Sequence, residues 1–178
     1  VNGRLYCLGS TGELEWTWSS LQWSCWLHNT ISIADVDGDG EYEIVIGLWR
    51  LEASAKGGIV VLSWFGTEIA RKYFNNYCEN EAMIWDIDDD GRKDILVGSQ
   101  EGFYYCLAPD LSERWRFNLT AIIGTVKRPF NMAAALGDVT GDKKIDIVFQ
   151  SRDKGMVCVL DRYGQLAAEP YSTGAESA

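Results

Sequence analysis

The stretch Ala34-Asp35-Val36-Asp37-Gly38-Asp39-Gly40-Glu41-Tyr42-Glu43-Ile44-Val45-Ile46-Gly47 alternates carboxylates with other residues, then turns abruptly apolar. It recurs as Trp85-Asp86-Ile87-Asp88-Asp89-Asp90-Gly91-Arg92-Lys93-Asp94-Ile95-Leu96-Val97-Gly98. A third copy runs Gly137-Asp138-Val139-Thr140-Gly141-Asp142-Lys143-Lys144-Ile145-Asp146-Ile147-Val148-Phe149. The leading Asp falls at 35, 86 and 138, spacings of 51 and 52 residues. A fixed period of this size is the mark of a repeat architecture, in which each copy is one supersecondary unit.

Working outward, each acidic loop is preceded by a short strand pattern (30–34, 82–85, 133–136) and followed by an apolar strand. A glycine-led hairpin comes next: Gly58-Ile59-Val60-Val61-Leu62, Gly102-Phe103-Tyr104-Tyr105-Cys106-Leu107 and Gly155-Met156-Val157-Cys158-Val159-Leu160. A further hairpin, Gly3-Arg4-Leu5-Tyr6-Cys7-Leu8 with Gly12 and Trp16, stands ahead of the first acidic loop. Four antiparallel strands in about 50 residues, repeated, are expected of propeller blades. The central runs such as Ile44-Val45-Ile46 are apolar on both faces, as strands sandwiched between neighbouring blades must be. The fold expected is all-β: a β-propeller segment of about three and a half four-stranded antiparallel blades. Residues 2–19 form the second half of a blade. Blades with acidic loops cover 28–73, 80–118 and 130–170, the last loop degenerate, and 171–178 reads as a tail. Closed propellers have roughly four to eight blades, so the segment is expected to be part of a larger propeller, or to be completed by another chain.

Composition agrees. The chain has 178 residues, eight Trp, eight Tyr and 18 Gly against three Pro, which suits strands joined by tight turns. A net charge of −10 argues against nucleic acid as a partner. No apolar run reaches the roughly 20 residues of a membrane span. Of the 26 acidic residues, five lie in 35–43, five in 86–94 and three in 138–146. Crowded carboxylates repel one another unless a cation sits among them.

That cation is expected to be Ca2+, which takes six to eight oxygen ligands in flexible geometry. In the first loop Asp35, Asp37 and Asp39 occupy alternate positions. Gly40 allows the turn, the carbonyl of Glu41 is a candidate ligand, and Glu43 closes the set. The second offers Asp86, Asp88, Asp90, the carbonyl of Arg92, and Asp94. The third offers Asp138, Thr140, Asp142, the carbonyl of Lys144, and Asp146, with Lys143 where glycine is expected. Thr140 and Lys143 weaken that set, so two strong sites and one weak one are expected. A turn held only by side-chain to backbone hydrogen bonds is the competing reading.

The pattern resembles the calcium loops of FG-GAP (VCBS-type) repeats, the blades of integrin α-subunit-like propellers, over residues 28–170. The hairpins are also similar to those of PQQ-type quinoprotein propellers, in which the strand after the turn carries a Trp. The resemblance implies a calcium-stabilised propeller with a structural, non-catalytic metal. It also places the connections between blades, and those between strands two and three of a blade, on the face opposite the acidic loops. There Trp23, Trp26, His28, Trp49, Arg50 and Tyr77, with Lys127 and Arg128, are candidates for a binding surface for protein or carbohydrate.

Five cysteines leave at least one outside any pairing within the chain. Cys7, Cys106 and Cys158 fall at equivalent strand positions and read as small packing residues. Cys25 and Cys78, in neighbouring inter-blade loops, form a candidate disulfide. Asn118-Leu119-Thr120 is a sequon. His28 is the only histidine, and no nucleophile is placed beside it by any motif. The catalytic set is therefore expected to be empty. The residues favour a non-enzyme serving adhesion, surface assembly or ligand binding in an extracellular, cell-surface or periplasmic setting. Its partner would be another protein chain or the remainder of the propeller. Part of a secreted polysaccharide-acting enzyme is the alternative, and a quinoprotein-like dehydrogenase the third.

Overall fold

In a computed structural model of the protein, which describes residues 3–27, 30–50, 56–78, 80–124, 129–130, 133–152 and 154–174, the repeats fold into four successive antiparallel sheets. The first is a two-stranded half-blade, β1 (Arg4–Leu8) with β2 (Leu14–Ser19). The second joins β3 (Cys25–Trp26), β4 (Ser32–Ala34), β5 (Glu43–Arg50), β6 (Gly58–Ser63) and β7 (Glu68–Tyr73). The third runs β8 (Met83–Trp85), β9 (Asp94–Ser99), β10 (Phe103–Leu107) and β11 (Glu113–Asn118). The fourth runs β12 (Ala135–Gly137), β13 (Asp146–Ser151), β14 (Met156–Leu160) and β15 (Tyr171–Ser172). The architecture is the open, partial propeller that the repeat implied. A single helical turn, α1 (Thr120–Ile123), follows the third blade.

Two details depart from the reading of the sequence. The second sheet gains the two-residue β3, which pairs with the far end of β5 through Cys25↔Arg50 and Trp26↔Trp49. Tyr171 and Ser172, in the stretch read as a tail, pair with Val157 and Met156 and supply the fourth strand of the last blade.

Sheets stack face to face because successive strand residues point to opposite sides. On β5, Ile44, Ile46 and Leu48 pack with Trp18, Leu5 and Trp16 of the half-blade. The alternate Val45, with Ile59 and Val61, packs against Ile95, Val97, Tyr105 and Leu107 of the third blade. The other face of that blade, through Leu96, Tyr104 and Cys106, meets Ile147, Phe149, Cys158 and Leu160 of the fourth. Three apolar seams thus bind four sheets.

This alternation corrects the candidate disulfide. Cys25 packs with Trp18 and Ile46, whereas Cys78 packs with Val45 and Ile59. The two thiols lie on opposite faces of the second sheet and are not bridged. The Cys25 thiol instead donates to the carbonyl of Lys56 at 3.3 Å. Burial pushes the Cys78 thiol well above its usual range, with the carboxylate of Glu101 adding to the shift.

The hairpin turns repeat one geometry: Gly9–Glu13, Ser63–Thr67, Ala108–Ser112 and Asp161–Gln165 close with matching backbone hydrogen bonds. The fourth residue of each adopts positive φ: Gly12 at 89°, Gly66 at 80°, Leu111 at 63° and Gly164 at 76°. Indoles dock on two of these turns. Trp16 donates through Nε1 to the carbonyl of Trp64 at 3.1 Å, and Trp115 does the same to Arg162 at 3.1 Å. Each ring lies where a Cβ on Gly66 or Gly164 would stand. Between the second and third blades the pairing is inverted. Ala70 takes the Trp position in the register, and Leu111 replaces the turn glycine. Leu111 is buried in the same cluster against which Ala70 packs, so the bulk has crossed the seam.

Candidate metal loops

Each acidic loop leads from the first strand of a blade to the second, so all three lie at the same corner of successive sheets. The loops share a backbone path. Their sixth residues, Gly40, Gly91 and Lys143, have φ of 93°, 89° and 66°, and their fourth, Gly38, Asp89 and Gly141, have 80°, 63° and 82°. Lys143 therefore adopts the conformation that glycine holds in the other two. A lysine there carries the ordinary cost of a left-handed residue, about 1–2 kcal/mol.

Hydrogen bonds from the main chain hold that path. The closing carboxylate accepts from the second residue: Val36 N to Glu43 Oε2 at 2.8 Å, Ile87 N to Asp94 Oδ2 at 3.2 Å, and Val139 N to Asp146 Oδ2 at 2.9 Å. The first carboxylate accepts from the sixth residue, Gly40, Gly91 or Lys143, at 2.9–3.1 Å. The fifth accepts from the seventh, Glu41, Arg92 or Lys144, at 2.8 Å in each loop. These bonds use part of each carboxylate's accepting capacity. An ionised carboxylate has about four lone-pair sites, so oxygens remain for a cation.

Candidate ligand oxygens of Asp35, Asp37 and Asp39 lie within 4.8 Å of one another, as do those of Asp86, Asp88 and Asp90. The closing residues Glu43, Asp94 and Asp146 are buried beneath their loops. Burial pushes the Glu43 carboxyl up from its ordinary value, opposed by the Val36 amide and reinforced by Asp37, Asp39 and Asp35. A divalent ion would relieve that repulsion, and hard oxygen donors of this kind fit calcium. The first loop therefore fits the ion. In the third, Thr140 turns inward and donates from both its N and Oγ1 to Asp146 Oδ2, at 2.9 and 3.0 Å. Its hydroxyl is thus engaged with the closing carboxylate.

The second loop contains a residue that sequence reasoning missed. Arg114, on β11, reaches into it, pairing with Asp88 and with Asp90 Oδ2 at 2.8 Å. Its Nε lies 2.6 Å from Asp94 Oδ1, an ion pair by distance, although no N–H is aimed at that buried oxygen. Burial pushes the Asp94 carboxyl up to about 6; the Ile87 amide and Arg114 pull against the shift, and Asp88 and Asp90 add to it. The Arg114 hydrogen bond holds Asp90 below the usual carboxylate range. The only signal for Arg114 in the sequence is a basic residue beside Trp115, which carries meaning only once the strand register is known.

At the opposite ends of the blades, four residues of the proposed binding surface come together. Trp26 meets Trp49 edge-on at 6.1 Å, Trp49 lies 5.2 Å from Tyr77, and the Arg50 guanidinium sits 5.6 Å from the Tyr77 ring. All four are half-buried. His28, Lys127, Arg128 and the side chain of Trp23 lie outside the described residues. Asn118 of the sequon accepts hydrogen bonds from Thr120 Oγ1 at 2.8 Å and Ala121 N at 3.2 Å, at the start of α1.

Among solved structures, the fold is similar to that of BamB from Moraxella catarrhalis, with a TM-score of 0.64 and 14% identity over 99% of this chain and 45% of that one. It is also similar to quinohemoprotein alcohol dehydrogenase from Comamonas testosteroni, with a TM-score of 0.64 and 12% identity over 96% of this chain and 32% of that one. The chain spans less than half the length of either. At such identities the likeness is one of fold. No protein-family model matches the sequence, and no curated protein matches it.

Proposed function

We propose that this chain is a non-catalytic, calcium-stabilised propeller segment that works by holding protein surfaces together outside the cytoplasm, in adhesion, surface assembly or ligand binding. The observation that carries the reading is the convergence of Asp35, Asp37 and Asp39 above the buried Glu43, with the same frame repeated at the same corner of the next blades. A calcium ion there would tie the first and second strands of a blade. Loops of this kind fill where calcium is near millimolar, as in extracellular fluid.

The half-blade presents an edge on which further strands could pair. Among the described residues β1 pairs only with β2, and Tyr6, Leu8 and Leu14 are exposed on that sheet. An open edge of this kind is a template for further strands. Its turn repeats the indole-receiving geometry, yet nothing lies within 4 Å of a Cβ on Gly12. Strands from the rest of a ring, or from another chain, would complete it. Among the described residues no helix is long and apolar enough to cross a membrane.

The test is a thermal melt in EDTA and in calcium, on the chain and on Asp37→Asn. Calcium at 100 times its Kd contributes about 2.7 kcal/mol by linkage, so the melt should rise clearly, and less so in the variant. An identical melt with and without the ion overturns the calcium reading. Sedimentation should show self-association or capture of a completing chain; a strict monomer that binds neither overturns the partner reading.

A further inference from the structure

The three acidic loops are alike in backbone but differ in what stands over them. Between the first and second loops the difference comes from one position of the fourth strand. The β10–β11 ladder carries a bulge: Cys106 faces Trp115 and Leu107 faces Glu113, so Arg114 is the extra residue. Bulges re-aim a side chain away from the ladder. Here the bulged residue projects back over the loop of its own blade, where Arg114 meets Asp88, Asp90 and Asp94. The second blade has the same bulge, with Val61 facing Ala70 and Leu62 facing Glu68, and its extra residue is Ile69. Ile69, Asp37, Asp90 and Arg114 line one cavity of about 420 Å3 between the two loops.

We propose that Arg114 is a built-in counter-ion that replaces calcium in the second loop, so that of these two loops the first depends on the metal and the second does not. This rests on the calcium reading of the first loop. A planar guanidinium presents five donors and is well suited to holding several carboxylates at once. It brings a positive charge to the carboxylates that a metal would need, including the wholly buried Asp94. An isoleucine supplies neither charge nor donors, so the first loop receives no counter-ion from its own fourth strand; Arg92 of the second loop lines the same cavity but makes no ion pair with Asp35, Asp37 or Asp39 among the described residues. The second loop is also held from the next blade: Asp89 Oδ2 accepts from Arg162 Nη1 at 2.9 Å and lies 3.8 Å from Lys144 Nζ. The bulge residue thus decides whether a blade is closed by its own chain or by an ion.

Calcium titration calorimetry on the full chain, with its Asp37→Asn, Asp88→Asn and Arg114→Gln variants, tests this. The third loop contributes equally throughout, so differences between variants are what is read. Asp37→Asn should lose one equivalent of bound calcium and Asp88→Asn none. Arg114→Gln should gain one equivalent, lost again in Arg114→Gln/Asp88→Asn, and its melt in EDTA should fall and be restored by calcium. A lost equivalent in Asp88→Asn, or no gain in a folded Arg114→Gln, overturns the proposal while leaving the first loop's reading intact. Absence of calcium uptake by the parent chain, with a gain in Arg114→Gln, refutes the reading of the first loop and supports that of Arg114. Should Arg114→Gln fail to fold in either condition, Asp88→Asn decides alone.

Discussion

Substituting Gly66 by alanine should destabilise the chain by about 3 kcal/mol, and the structure says where the loss arises. Gly66 has φ of 80°, and an ideal Cβ there would stand 2.6 Å from Trp16 Cε3 and 2.8 Å from Cδ2. Left-handed backbone costs a residue with a Cβ about 1–2 kcal/mol. The atoms met belong to a ring docked between two blades, not to the end of a flexible chain, so the indole must move. Moving it breaks the Nε1 bond to the carbonyl of Trp64, worth about 1 kcal/mol net, and loosens its packing against the turn. Gly12 provides the control. It has φ of 89° in the same turn of the neighbouring sheet, and a Cβ there meets nothing within 4 Å. Gly12→Ala should therefore carry the conformational cost alone, about 1–2 kcal/mol. Urea unfolding followed by far-UV circular dichroism measures both. Equal midpoint shifts for the two variants would show that the docked indole contributes nothing to the seam.

Trp115→Phe should cost about 1 kcal/mol beyond its change in volume, through the lost bond to the Arg162 carbonyl, read as a lower urea midpoint than that of Phe117→Leu. Leu111→Gly should relieve a left-handed residue yet lower stability by about 2 kcal/mol, because the buried leucine leaves a cavity against Ala70; a stabilised variant would contradict the exchange of bulk across that seam. Thiol titration at pH 8 should find Cys7 the most reactive in the native chain. Burial and the Glu15 carboxylate raise its thiol too, but it is only half-buried, whereas Cys25, Cys78, Cys106 and Cys158 are buried, with the thiols of Cys78 and Cys106 pushed well up and that of Cys158 to about 11. All five should react in urea, and a mass consistent with a Cys25–Cys78 bridge would contradict the placement of those residues on opposite faces of a sheet.

The architecture was legible because its causes are periodic. A 51-residue register of acidic loop, apolar strand and glycine hairpin leaves few other folds, and β5, β9 and β13 begin at Glu43, Asp94 and Asp146 as that register requires. Strand ends were less legible. β3 and β15 are two residues long, and a pair of residues carries no period. The face of a side chain decided the cysteines: spacing put Cys25 and Cys78 in equivalent loops, but only the alternation along β5 shows the sheet standing between them. Arg114 was hidden for a related reason. Its neighbours in space are Asp88, Asp90 and Asp94, 20 to 26 residues away, and only a bulge makes it face them.

The three seams then show how one repeat tolerates drift. At the first and third, a Trp on one blade and a Gly on the next must be present together, since either alone leaves a gap or a clash. At the second both have changed, to Ala70 and Leu111, and the volume is conserved to first order. The same logic governs the loops. Lys143 adopts a glycine's conformation and Thr140 turns its hydroxyl on Asp146, while Arg114 meets carboxylates that would otherwise await a cation. At the second seam the side chain lost at one repeat position is answered by one gained at a spatial neighbour, and the third loop keeps its backbone path despite its substitutions. It follows that copies of the repeat cannot be ranked by their match to the loop pattern alone. The second loop matches best, yet it is the one whose carboxylates are already met by the bulge residue, Arg114.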